Sequence, residues 1–320
     1  MTNLLIELKT SAQLKNLFFR LVVVVMICIV LSFLTEAFFT TNNLLNVLRQ
    51  ASLLFLMASG LTLVLLTAGI DLSVGANVGM SACVAAVVMT NTGSTLLGFV
   101  SGIGCGMLIG IGNGLLVTAL RLPSFIATYG MLWILHGLTY YFMAGTTING
   151  FEKSFRFIGS GYMYGIPVPI YIMSVFLILG SIFTKYSIYG QQIYAVGANP
   201  LAARLSGVPV NRRLMLVYIL SGITAGLASL VFLARLNSAE GDIGESLTLP
   251  AIAAVLIGGT SLFGGVGTLF GTLIGALILT LILNGMNILT IDANYQALVT
   301  GVIIILSVFL DLLFRRKSSS

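Results

Sequence analysis

One carboxyl stands where an acid is costly to keep. Asp71 interrupts an apolar stretch that reads Ala68-Gly69-Ile70-Asp71-Leu72-Ser73-Val74-Gly75. An ionisable side chain at membrane depth is a functional candidate, because lipid tolerates it only with a partner or a task. Two roles fit: a cap on the helix that starts just after it, whose free N–H groups and dipole favour a carboxylate, or a gate. Gly69, Ser73 and Gly75 belong to the same candidate gate and cap. No second carboxylate is expected at that depth, so a proton or sodium relay lacks its usual partner. His136, the only histidine, lies in Trp133-Ile134-Leu135-His136-Gly137 and reads as a hydrogen-bonded bundle residue before it reads as a proton relay. Cys28, Cys83 and Cys105 fall in apolar runs and read as reduced thiols, with no disulfide framework and no metal-ligand spacing. Each lysine follows Leu, Glu, Thr or Arg, so the chain carries no Gly-Lys phosphate loop and cannot hydrolyse ATP by that route. No nucleophile–base pair is present either. The chain itself is expected to be no enzyme, to hold no metal and to bind no cofactor.

The elements that must position these residues are helices in lipid. Hydrophobic residues make up 58% of 320, charged residues 8%, and the mean hydropathy is +1.09. A soluble chain carries about 25% charged residues. The expected fold is an all-α integral membrane protein of about ten transmembrane helices (8–10), at roughly 20 residues per span. The apolar runs are 17–35, 51–70, 72–90, 96–120, 124–143, 168–184, 214–233, 246–258, 268–289 and 294–313. The run 246–258 is short and ends at Gly258-Gly259, which predicts a broken or half helix. The first run lacks a small-x-small cleavage site and is expected to be retained.

Charge orients the set. With ten spans and the N-terminus inside, the bases fall on the cytoplasmic side, Arg49, Lys153, Arg156 and Arg235 excepted. Both termini are then cytoplasmic. The net charge of +6 follows from this distribution and does not point to nucleic acid. The whole chain, 1–320, reads as one transmembrane domain, with a cytoplasmic amphipathic N-terminus at 1–16 and a cytoplasmic loop at 185–213. Glycine recurs every fourth residue at Gly98, Gly102, Gly106, Gly110 and Gly114, and again at Gly267, Gly271 and Gly275, which predicts close helix packing. Leu66, Gly69, Leu72 and Gly75 echo Leu256, Gly259, Leu262 and Gly265, a hint of two-fold design.

The loop holds a short predicted helix over about 200–206. Asn199-Pro200 supplies a cap and a first-position proline, and Gly207 with Pro209 supplies a stop. Ala202, Ala203 and Gly207 are expected to form one small-residue surface, shaped for another protein's groove.

From about 38 to 311 the sequence resembles the ribose-type sugar permeases of bacterial ATP-binding cassette (ABC) importers. The segments that carry the likeness are Leu66–Gly75, Tyr194–Gly207 and Ala251–Gly265 with Gly267 and Gly271, joined by Phe39-Thr40-Thr41-Asn42-Asn43-Leu44. The resemblance implies a bacterial inner-membrane core of two permeases, the second being another copy or a paralogue. It implies two cytoplasmic ATPase subunits holding ATP-Mg and a periplasmic or lipid-anchored sugar-binding protein. Asn199, Pro200, Leu201, Ala202, Ala203, Arg204 and Gly207 would form the ATPase-coupling helix. Leu201 departs from the pattern, since a glutamate is often found there. Asn77, Asn113, Asn284 and Asn287 are candidate path residues, because uncharged donors and acceptors suit a neutral polyol. Glu240, Asp242 and Glu245 are candidate docking residues for the binding protein. The competing readings are a stand-alone secondary transporter and a related permease for an autoinducer-type sugar, polyol, nucleoside or branched-chain amino acid.

Overall fold

The computed structural model describes residues 2–318, with the side chains of 2–16, 245, 310 and 313–318 set aside. In chain order its helices are α1 (Thr2–Leu34), α2 (Thr41–Leu66), α3 (Val74–Thr92), α4 (Thr95–Thr118), α5 (Ser124–Met143), α6 (Lys153–Ser160) and α7 (Val168–Tyr186). There follow α8 (Ile188–Ala198), α9 (Pro200–Leu205), α10 (Val210–Leu236), α11 (Thr248–Ile257), α12 (Leu269–Ile288) and α13 (Ala293–Ser318). Two short antiparallel ribbons and a 3-10 turn (Glu245–Leu247) complete the described chain, the ribbons pairing β1 (Ile148–Asn149) with β4 (Ser238–Ala239), and β2 (Tyr162–Met163) with β3 (Ile166–Pro167).

Local chemistry sets the helix starts. The side chains of Thr40, Ser94, Ser187, Asn199 and Thr268 each accept a hydrogen bond from the backbone N–H three residues on. Each satisfies one of the donors that a helix leaves unpaired at its start. Such bonds matter more in lipid, where no water replaces them.

The protein is an all-α membrane protein. Among the described residues, seven helices are long and apolar enough to cross a bilayer: Leu17–Leu34 of α1, then α2, α3, α4, α7, α10 and α12. Helix α5 has the length but falls outside that set, and α11 is only ten residues. At about 1.5 Å per residue α11 reaches roughly half of a 30 Å hydrocarbon layer. The short run is thus a half helix, as its Gly-Gly ending suggests. Helix α1 runs unbroken from residue 2, so the structure shows no backbone boundary between 1–16 and the first span. The amphipathic character expected of 1–16 lies outside the described side chains.

Helices α2, α3, α10 and α12 form the centre, and α2 is buried without interruption from Ala51 to Leu66. Phe18, Phe19, Met26 and Phe33 of α1 point outward, an apolar face suited to lipid. Glycine lets the central helices touch through their backbones. A methyl group at Gly106 of α4 would sit 2.9 Å from the Gly226 Cα of α10, and one at Gly222 would sit 2.9 Å from the Gly110 Cα. One at Gly258, at the end of α11, would sit 2.8 Å from the Thr272 Cα of α12. Both glycine stripes are therefore packing seams, which lipid-embedded helices need because the hydrophobic effect does not hold them together.

Candidate functional site

The turn that joins α2 to α3 is built around Asp71. Helix α2 closes with Gly69 N–H donating to the Val64 carbonyl at 3.1 Å, and Ala68 sits at a left-handed φ of 59°. The first turn of α5 then straps the chain. Ile70 N–H donates to Ser124 Oγ, Leu72 N–H donates to Thr128 Oγ1, and Thr128 Oγ1 donates to the Ile70 carbonyl, each at 3.1 Å. These bonds aim Asp71 inward, where only 4% of it is exposed.

Three donors meet the carboxyl group. Asp71 Oδ1 accepts from Ser73 N at 3.0 Å and from Ser73 Oγ at 2.7 Å, and Oδ2 accepts from Ser221 Oγ of α10 at 3.1 Å. Asn113 Nδ2 of α4 in turn donates to Ser73 Oγ at 2.7 Å. One buried polar chain thus ties the turn, α3, α4 and α10 together. The bonds from Ser73 and Ser221 offset the cost of burying this polar group. No cation lies among the described partners of Asp71.

The capping expectation needs correction. Ser73, not Asp71, holds the N-cap position of α3, and its side chain makes no capping bond there. Asp71 bonds the Ser73 N–H two residues on, a turn formed before the helix begins. Gly75 serves contact instead: a methyl group there would strike the Gly244 carbonyl and the Thr248 hydroxyl.

The four asparagines fall in three places. Asn77 donates to the Gly106 carbonyl at 3.3 Å, so it and Asn113 both lie on the α3–α4 seam. Asn284 exchanges two hydrogen bonds with Asn43, at 3.2 and 2.9 Å, tying α12 to the start of α2. Asn287 is exposed and accepts from Gln296 Nε2 at 2.8 Å.

The segment carrying the acids is no free loop. Its Gly241 and Gly244 carbonyls press on Gly79 and Gly75 of α3. Glu240 and Asp242 are exposed along it, and the side chain of Glu245 lies outside the described set.

The segment 187–209 folds into two short helices, α8 and α9, where sequence reading finds one. Asn199 Oδ1 accepts from Ala202 N at 3.0 Å, and Pro200 opens α9 as its pattern requires. The outward face differs from expectation. Ala203 is buried against Val196 and Val210, so it does not share a surface with Ala202 and Gly207. Leu201 and Leu205 stand out instead, 68% and 82% exposed and one helical turn apart. Beside them a cleft of about 600 Å³ is lined by Arg121, Arg204 and Arg212 together with Val208, Pro209 and Asn211.

Several residues carry weight that the sequence alone does not announce. Ser221 and Tyr218 are ordinary by type, yet Ser221 bonds Asp71 and the buried Tyr218 hydroxyl lies beside Gly69. Asp311 is a second acid in an apolar helix, and it accepts from Ser261 Oγ at 2.8 Å. Its position inside the run 294–313 was the available signal.

The comparisons with known proteins agree with this architecture. The chain matches the family described as branched-chain amino acid transport system / permease component over residues 43–308. It belongs to that family. It is similar to the ribose import permease protein of Escherichia coli (strain K12), 40% identical over 295 residues that cover 91% of this chain and 92% of the relative. It is similar as well to the ribose import permease protein of Bacillus subtilis (strain 168), 39% identical over 91% of this chain and 90% of the relative. The D-allose transport system permease protein of Escherichia coli (strain K12) is 40% identical over 93% of this chain and 91% of the relative. No solved structure matches. The protein is thus a multi-pass membrane permease component, and the matched region takes in the Asp71 turn, α8 and α9, and the half helix α11.

Proposed function

We propose that this chain is the inner-membrane permease of an ABC importer for a monosaccharide of the ribose or allose kind. The observation that carries the reading is similarity over 91–93% of the chain to permeases named for ribose and D-allose. The interior suits a neutral polyol: uncharged hydroxyls and amides dominate its buried polar groups.

In this reading α5, α11 with its following turn, and α13 join the seven long apolar helices to give ten membrane-crossing elements. The termini and the 185–213 segment lie in the cytoplasm, where the basic residues concentrate. Helix α9 docks on a cytoplasmic ATPase that binds ATP-Mg, through the apolar knob of Leu201 and Leu205. This supplies a reason for leucine at 201: it adds apolar contact where a salt bridge is absent. The arginine-lined cleft beside the knob suits acidic side chains on the same partner. Glu240 and Asp242, at the other end of α10, are set to meet bases on a soluble or lipid-anchored sugar-binding protein. A second permease, as a copy or a paralogue, completes the pathway.

The chain performs no bond-making chemistry in this scheme. It supplies a hydrogen-bonded gate at Asp71 and a lever at α8–α9, while hydrolysis takes place on the partner. Leu205→Glu tests the dock. The expected outcome is a folded permease that no longer co-purifies with its ATPase. Undiminished co-purification would remove α9 from the interface.

A further inference from the structure

Three segments that are distant in sequence meet backbone to backbone beneath α8. The Leu66 carbonyl, at the end of α2, accepts from Gly265 N–H at 2.9 Å. Gly197 of α8 lies against that same bond. A methyl group there would strike the Leu66 carbonyl oxygen and come within 2.7 Å of Gly265 N. One at Gly264 would lie 2.8 Å from both Ala68 N and the Gly197 carbonyl oxygen, and one at Gly265 would lie 2.9 Å from the Ala198 Cα. Gly264 and Gly265 adopt φ of 77° and 73°, a conformation that favours glycine. One turn back on α8, Tyr194 Oη donates to the Gly267 carbonyl at 2.8 Å.

The two turns that meet here are the two halves of the sequence echo. One runs from Leu66 to Gly75, and the other from Leu256 to Gly265. They are joined directly, and α8 presses on both. Helix α8 continues through Asn199 into α9, and Ala203 of α9 with Val208 just beyond it close back on α8 and α10. A displacement of α9 therefore cannot spend itself in a slack loop. Backbone against backbone has no side chain to yield, and tightly packed contacts move as a unit. Asp71 stands five residues beyond Leu66 on the turn that α5 straps, and its carboxyl group holds Ser73 and Ser221.

We infer that Gly197 and Tyr194 are the positioning residues that carry ATPase motion from the docking helix to the Asp71 gate and to the half-helix turn together. This rests on the docking assignment for α9 and adds the route inward from it. Gly197 makes the joint close enough to be stiff. Tyr194 fastens α8 to the second turn, so that both turns follow the same displacement.

The experiment uses the assembled transporter in proteoliposomes, with its ATPase and binding protein, and reads labelled ribose taken up per ATP hydrolysed. Tyr194→Phe removes one hydroxyl and leaves the ring in place. It is expected to lower uptake per ATP about fivefold, the scale of one lost hydrogen bond, while the complex stays assembled and hydrolysis continues. Gly197→Ala is expected to lower the ratio further. Gly104→Ala, where a methyl group meets nothing within 4 Å, serves as the control for glycine replacement and is expected to match the parent. An unchanged ratio in Tyr194→Phe overturns the inference. So does loss of the ATPase from that variant, since the residue would then act in docking. Failure of the docking assignment shows separately, as an ATPase that stays bound to Leu205→Glu.

Discussion

Replacing Asp71 by Ala and by Asn separates its hydrogen-bonding role from its charge. In the parent the carboxyl group accepts from Ser73 N, Ser73 Oγ and Ser221 Oγ. Alanine leaves all three donors without that acceptor. The Ser73 N–H is fixed by the backbone, and stranding it costs about 1–3 kcal/mol. Each serine hydroxyl loses a bond worth about 0.5–1.5 kcal/mol net. Together Asp71→Ala is expected to lose about 2–6 kcal/mol, set against relief from burying a carboxylate. Asparagine keeps Oδ1 for both Ser73 groups, so Asp71→Asn is expected to stay within about 1 kcal/mol of the parent. Thermal unfolding of the detergent-purified chain, followed by size-exclusion fluorescence, checks the order. An alanine variant as stable as the asparagine variant refutes the account of this site.

Other outcomes follow from the packing and the orientation. Gly110→Ala places a methyl group 3.1 Å from the Gly222 Cα and closer still to the Tyr218 carbonyl, so folded yield should fall sharply; Gly104→Ala on the same helix should hold or gain slightly through helix propensity. Asn43→Ala and Asn284→Ala should each destabilise by about 1–3 kcal/mol, and the double variant should cost less than the sum, because each single change strands the other amide. Cysteine at Asn199 should resist a membrane-impermeant maleimide in sealed cells and react after permeabilisation, whereas cysteine at Asp242 should react in both.

The sequence makes the lipid environment, the half helix and the close glycine seams legible. Composition, run length and four-residue spacing each have one physical meaning in a bilayer. Helix α9 is legible because a cap, a proline and a glycine stop occur in order. Its outward face is not, because six residues carry too little periodicity to show that Ala203 turns inward while Leu201 and Leu205 turn out. Asp71 is conspicuous as an acid among apolar residues, but its true partners are not. Ser221 lies 150 residues away in the chain and only the α2–α10 packing brings it close. The echo between 66–75 and 256–265 is weak as a sequence match. It gains meaning once Gly265 is seen bonded to Leu66.

The central claim is that this chain moves a sugar only when a separate ATPase drives it. Purified permease in ATP-loaded liposomes, assayed for labelled ribose alone and then with its ATPase and binding protein, tests that claim directly. The account predicts accumulation only in the complete mixture and none when any component is left out. Concentrative uptake by the chain alone would contradict it.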